Sequence, residues 1–262
     1  MSAETADLLG TARYALALGD DALVLSQRCG EWVTRSPQLE EDVALANIGL
    51  DLLGQARVLL ARAGELQGTG PDGATARTED DLAYLRDADA FTNVRLVELP
   101  NTDFAVSMAR LLVFSTYQLG LYRALASSTD ETIAGVAAKA VKEVDYHVDH
   151  ATEWVLRLGD GTDESHRRMQ AGLEVVWPFV DELFDGSWLP DGLVDEGVAV
   201  DPSSLREQWQ AGVSDVLARA TLAEPRVAAD AGGGRRGEHT PELTELLDVL
   251  QGLHRAHPGA TW

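Results

Sequence analysis

The sequence predicts an all-α fold, a four-helix bundle with additional flanking helices. Three observations carry this. Apolar residues recur at spacings of three and four along most of the chain, the period of one helix face. Four such runs are long, separated by segments rich in Gly, Asp and Pro. No run alternates apolar and polar residues with period two, so strands are not expected.

The first run places Leu18, Ala22, Leu25, Cys29 and Trp32 on one face, and Pro37 ends it. A second helix is expected from Leu39 to Gln67, with Leu45, Gly49, Leu52, Ala56, Leu60 and Ala63 inward. At 1.5 Å per residue it would be about 42 Å long, the length of a bundle helix. Residues 68–78 have loop composition. The short helix EDDLAYLRD and the irregular FTNVRLVELPN follow. A third long helix, about Thr102 to Ser127, turns Phe104, Met108, Leu111, Ser115, Leu119, Tyr122 and Ala126 inward. A fourth, about Asp130 to Leu158, does so with Ile133, Ala137, Ala140, Val144, His147, Ala151, Val155 and Leu158, and Gly159 fits the residue just past its end. Residues 163–185 carry Met169, Leu173, Val176, Trp177, Val180 and Phe184 at helical spacing. Asp201–Pro202 and Thr240–Pro241 each pair a capping residue with a proline in the first turn, which starts a helix. One domain over 1–262 is expected, with its core bundle over about 18–158 and accessory helices over about 163–262.

The chain of 262 residues carries 21 Lys and Arg against 43 Asp and Glu, a formal charge of −22. Such a field repels nucleic acid and anionic lipid, so neither is an expected partner. The one cysteine, Cys29, allows no intrachain disulfide and fits a reducing cytosol. Glu4 and Asp7 stand where a secretory signal is basic, and no stretch is read as reaching the roughly 20 apolar residues of a membrane span. A cytoplasmic location is expected.

A bundle of long helices raises the question of a metal. In ferritin-like di-iron proteins two helices each give a Glu and two each give a Glu-x-x-His pair, all facing inward. The first helix offers Asp21 at the border of its apolar stripe and Glu31 well off it. The second reads DLLGQA over 51–56, where a metal-binding version would read D-E-x-G-H-A. Leu52 then takes the Glu position and Gln55 the His position. The third has Ser115 and Gln118 inward but no acid from Phe104 to Thr129. The fourth supplies Glu143 and His147, one turn apart. About six carboxylate and imidazole ligands are needed and about two are well placed. No metal is expected at the vestigial positions Leu52, Gln55, Glu143 and His147, and no catalytic residue is expected. Glu143 with His147 is either a residual mononuclear site or a buried polar pair satisfied by Lys139, Tyr146 or a facing Gln55; the missing ligands favour the second. A rival metal set is Glu41, Asp51, Glu143 and His147. His150 and Asp149 read as solvated, and His254 and His257 as tail residues.

In GGGRRGEHT (232–240), Arg235 and Arg236 lie in a glycine-rich loop before a helix. They are weak phosphate-contact candidates, set against a connector docked on an acidic neighbour. Cys29 reads as a buried hydrophobe, and Trp32, Trp154 and Trp177 as core or interface residues.

Residues 18–57, FTNVRLVELPNTDFA (91–105), AKAVKEVDYH (138–147), WVLRLGDGT (154–162), EGVAVDP (196–202) and GGGRRGEHT together resemble the C-subunit family of phenylacetyl-CoA 1,2-epoxidases. The resemblance runs in order from about Tyr14 to Trp262. It implies a ferritin-like subunit without cofactor of its own, paired in a bacterial monooxygenase with an A subunit that holds the di-iron site and binds the CoA thioester. It also implies an iron–sulfur flavoprotein reductase, with FAD, that draws on NADPH. A metal-binding oxygenase in its own right and a self-associating scaffold are the alternatives. Self-association is also expected of the subunit when its partner is absent.

Overall fold

The computed structural model describes residues 3–68 and 76–260, with side chains from residue 8 onward. Most of the loop expected over 68–78 lies outside the described residues. The rest form an all-α, ferritin-like bundle of eight α-helices: α1 Ala3–Gly30, α2 Leu39–Gln67, α3 Glu79–Tyr84, α4 Phe104–Leu125, α5 Glu131–Gly159, α6 Asp163–Val176, α7 Arg206–Arg219 and α8 Pro241–Ala256. Short 3-10 turns link them, among them Arg95–Glu98 and Asp181–Phe184.

α1 and α2 form one hairpin, α4 and α5 a second, and α2 packs on α5. Across that contact Asp51 meets His147, Gln55 meets Glu143 and Arg62 meets Asp130, so α2 and α5 run antiparallel. α2 has the bounds its periodicity predicts. α1 stops at Gly30, before Pro37, and Trp32 lies in the turn beyond, where Thr34 takes a left-handed φ of 71°. Trp32 instead packs edge-on against Phe104, itself edge-on to Trp154, and its indole N–H donates to the Ser107 hydroxyl at 3.0 Å.

Local chemistry fixes the helix starts. The Asp103 carboxylate accepts from the Ala105 amide, and the Asp130 carboxylate from the amides of Thr132 and Ile133. Each satisfies donors that a helix N-terminus leaves open. Thr78 and Thr162 close capping boxes on α3 and α6. Thr240 precedes α8 as expected but does not cap it; its hydroxyl and amide both donate to Glu98. Gly159 is the last residue of α5, not a left-handed cap. Its hydrogen faces Ala220, where a Cβ would strike the carbonyl oxygen.

α4 is buried on almost every side, because α5, α6, α7 and the 95–98 turn all cover it. Both α2 and α4 are long and apolar enough, by length and composition, to cross a membrane, which departs from the sequence expectation. For α4 the apolar window is 83% buried, the mark of a helix enclosed in a core. For α2 the corresponding figure is 50%, so much of its apolar surface faces outward.

Buried charge ties the C-terminal segment to this frame. Asp20 holds Arg86 in a buried ion pair and accepts from Thr92. Glu98, wholly buried, receives the Asn93 amide, the Thr240 amide and hydroxyl, and His239 Nδ1 at 2.5 Å. Glu182 accepts from the amides of Arg95, Gly233 and Gly234. Gly233 has φ 125°, open only to glycine at no strain, and that turn aims the two loop amides at Glu182.

Candidate functional site

The positions a bundle metal would use lie where α2, α4 and α5 meet. Their spacing places Asp51 and Gln55 one turn apart on α2, Gln118 and Tyr122 on α4, and Glu143 and His147 on α5. Leu52 is fully buried in the apolar core.

Gln55 is the hub. Its amide nitrogen donates to Glu143 Oε2 at 3.2 Å. Its carbonyl oxygen accepts from Gln118 Nε2 at 3.2 Å and from the Tyr122 hydroxyl at 3.3 Å. Glu143's other oxygen reaches Lys139 at 3.1 Å, toward solvent. Of the partners expected for Glu143, Lys139 and Gln55 are the two it takes. Ser115 turns away from this network and donates to its own helix at Leu111 O.

A second pair lies beside the hub. His147 Nε2 is 3.1 Å from Asp51 Oδ2, not bonded to Tyr146. Burial depresses the His147 pKa, opposed by Asp51 and Glu143 and reinforced by His150. His150 is not solvated as its sequence suggests. It pairs with Glu41 at 3.1 Å, both side chains nearly buried, and burial depresses its pKa too, against the pull of Glu41. Asp149 is exposed, and His254 stacks on Tyr84.

Of the rival set Glu41, Asp51, Glu143 and His147, Asp51 and His147 pair with each other, while Glu41 takes His150 and Glu143 takes Gln55 and Lys139. Among the described residues, no group of three or more His, Cys, Asp or Glu side chains is placed to hold one metal ion. What the seam offers is neutral amide, phenol and imidazole groups with two carboxylates at its edge. Burial holds the Tyr122 phenol well above its ordinary range, so it acts as a hydrogen-bond donor.

The first-helix acids are engaged elsewhere. Glu31 pairs with Arg28 and Asn101. Asp21 accepts the Val94 amide and meets Arg235 at 2.6 Å. Arg235 is thus engaged inside the protein. It is buried, donates to the Ala17 and Thr92 carbonyls as well, and lies over the Trp188 ring. Through Arg235 the loop meets an acidic neighbour, Asp21. Arg236 is half exposed beside Asp185. The cluster of Asp20, Glu98 and His239 escapes sequence reasoning, since its members lie far apart in the chain.

A family model described as "Phenylacetic acid catabolic protein" matches residues 3–262. The chain belongs to this family. Among curated proteins, it is similar to the C-subunit of the 1,2-phenylacetyl-CoA epoxidase of Escherichia coli (strain K12). The two are 45% identical over 249 residues, covering 95% of this chain and 98% of the relative. At that identity and coverage the bundle, its accessory helices and the 232–240 loop fall within the shared family region.

Proposed function

We propose that this chain is the non-catalytic bundle subunit of a phenylacetyl-CoA epoxidase, which braces a homologous A subunit that carries the di-iron site. The relative's name supports the complex, and the donor set supports the role. One observation carries the role: Gln55 spends its amide on Glu143, Gln118 and Tyr122 while Leu52 fills the core beside it. Hard iron wants several carboxylates and imidazoles around one point. An amide and a leucine do not fit that need, so no step of oxygen chemistry is assigned to this chain. Reduction falls to the reductase with its FAD, iron–sulfur cluster and NADPH, and the chain's place is cytoplasmic.

What the chain supplies is a rigid body. The hub, the Asp51–His147 pair and the Glu41–His150 pair lock α2 to α5, and the Asp21–Arg235 pair locks α1 to the C-terminal loop. A stiff face loses little entropy on docking and holds its partner's helices in register.

The test is co-expression with the A subunit, followed by gel filtration and iron assay. Co-elution is expected, with iron tracking the A subunit. Separate elution of the two chains, or about two irons per chain in this protein purified alone, would sink the proposal.

A further inference from the structure

Arg110 lies on α4 with its side chain inside the protein, at 2% exposure. Its guanidinium donates to the Leu99 carbonyl and, at 2.7 Å, to the Asn101 side-chain oxygen. Both partners are neutral. Its Nε–H finds no acceptor among the described residues. The other buried arginines each meet a carboxylate: Arg86 has Asp20, Arg235 has Asp21 and Arg28 has Glu31.

Nothing nearby answers the charge on Arg110. The carboxylate whose charge bears on it, Glu31, is held by Arg28 at 2.7 Å and by Asn101 at 2.8 Å, and Arg28 adds a second cation. Burial lowers the Arg110 pKa only to about 10, so the guanidinium stays charged at neutral pH. A buried charge left unpaired is costly. Beside it lies a cavity of about 10 Å³, room for one water-sized sphere. Arg110 lines it with Cys29, Trp32, Ser107, Leu25 and Met108, and among the described residues its wall holds no carboxylate. The Trp32 indole N–H is engaged by Ser107, and the Ser107 hydroxyl by Asn101. The donors left are the Arg110 Nε–H and the Cys29 S–H. Burial pushes the Cys29 thiol up to about 11, so it keeps its proton and is not itself the counter-ion.

We infer that this cavity binds one monatomic anion, of which chloride is the common case, between Arg110 on α4 and Cys29 in the last turn of α1. A water would accept from Nε but leave the charge uncompensated, whereas a halide answers both needs. Chloride is somewhat larger than water, and the adaptable Met108 side chain gives the added room. Sulfate and phosphate are too large. The ion would tie α1 to α4 as the carboxylates of Asp20 and Asp21 tie α1 to Arg86 and Arg235.

The test is anomalous diffraction from crystals of the full chain grown in sodium bromide, with melting temperatures in sodium chloride, bromide and gluconate at equal ionic strength. A bromide peak is expected within hydrogen-bonding reach of Arg110 Nε. Each halide should raise the melting temperature by about 2–4 °C over gluconate, because a ligand held only by the folded state stabilises it. Arg110→Met should abolish that shift. An ordered water in place of bromide, or equal melting temperatures in chloride and gluconate, overturns the site. So does a halide shift that persists in Arg110→Met, which puts the ion elsewhere. If that variant does not fold, the wild-type bromide map and melting temperatures decide alone.

Discussion

Arg235 meets Asp21 at 2.6 Å across 214 residues of sequence, both side chains buried. The pair fixes the glycine-rich loop to α1. Burial pushes the Asp21 carboxyl up to about 6, against the pull of Arg235 and the Val94 amide. Removing the cation leaves burial with less opposition. Arg235→Met should therefore cost about 3–5 kcal/mol in urea unfolding, the usual loss when one partner of a buried pair goes. Asp21→Leu in that background should recover part of the loss. A single-variant cost below about 1 kcal/mol would show that other contacts hold the loop.

Gln55 makes three side-chain hydrogen bonds at once, so its loss takes a partner from three groups, of which Glu143 keeps Lys139 and Gln118 keeps Tyr122. Gln55→Leu should destabilise by roughly 1–3 kcal/mol, the desolvation cost of buried groups left unpaired. Gln55→Glu should behave differently with pH. The new carboxyl would face Glu143, and its folded pKa would rise above the ordinary value near 4.3. Such an acid loses stability as pH climbs through that window. Relative to wild type, the variant should be less stable at pH 8 than at pH 5. Equal deficits at both values would mean that the two side chains do not face each other.

Legibility follows from contrast and from sequence distance. α5 is legible nearly residue by residue, because one face is apolar and the other charged: Ile133, Ala137, Ala140, Val144, His147, Ala151 and Val155 are all buried. The periodicity of α4 suggests a single inward face, yet Val106, Ala109 and Val113 are buried too. A helix enclosed on all sides has no polar face to set the period against. The hub is partly legible, since Gln55 and Glu143 fall on facing stripes. His150 with Glu41 is not, because nothing in a linear pattern says which carboxylate a helix will meet. Arg235 misleads for the same reason: a glycine-rich loop with two arginines looks alike whether its charge faces an anion in solution or a buried aspartate.

Two histidines should act on stability with opposite sign. For His239 burial alone would lower the pKa, but the bonds to Glu98 and the Phe91 carbonyl, with the charges of Glu98 and Asp20, raise it. Its contribution is full below the unfolded value near 6.5 and is lost as pH rises through the folded one. For His147 burial dominates and the pKa is lowered. That contribution is full above about 6.5 and is lost as pH falls. Urea midpoints measured from pH 5 to 9 should thus show His239→Gln flattening the alkaline side and His147→Gln the acid side. Parallel curves for wild type and both variants would contradict these assignments.

Leu52 gives the sharpest test of how the core is closed. It is wholly buried, and its neighbours on the inward face of α2 are Ile48, Gly49, Gln55 and Ala56, of which Gln55 alone carries a polar side chain and already has three partners. Leu52→Met conserves volume and should cost less than about 1.5 kcal/mol. Leu52→Glu puts a carboxyl at a wholly buried position among apolar neighbours of its own helix, so the group must either ionise in the core or bind a proton. The cost should be several kcal/mol at pH 7. It should shrink toward pH 5, because protonation of a buried carboxyl relieves the charge. Equal stability of Leu52→Glu and Leu52→Met at pH 7 would mean that the centre of this bundle already accommodates the ligand that a metal site there requires.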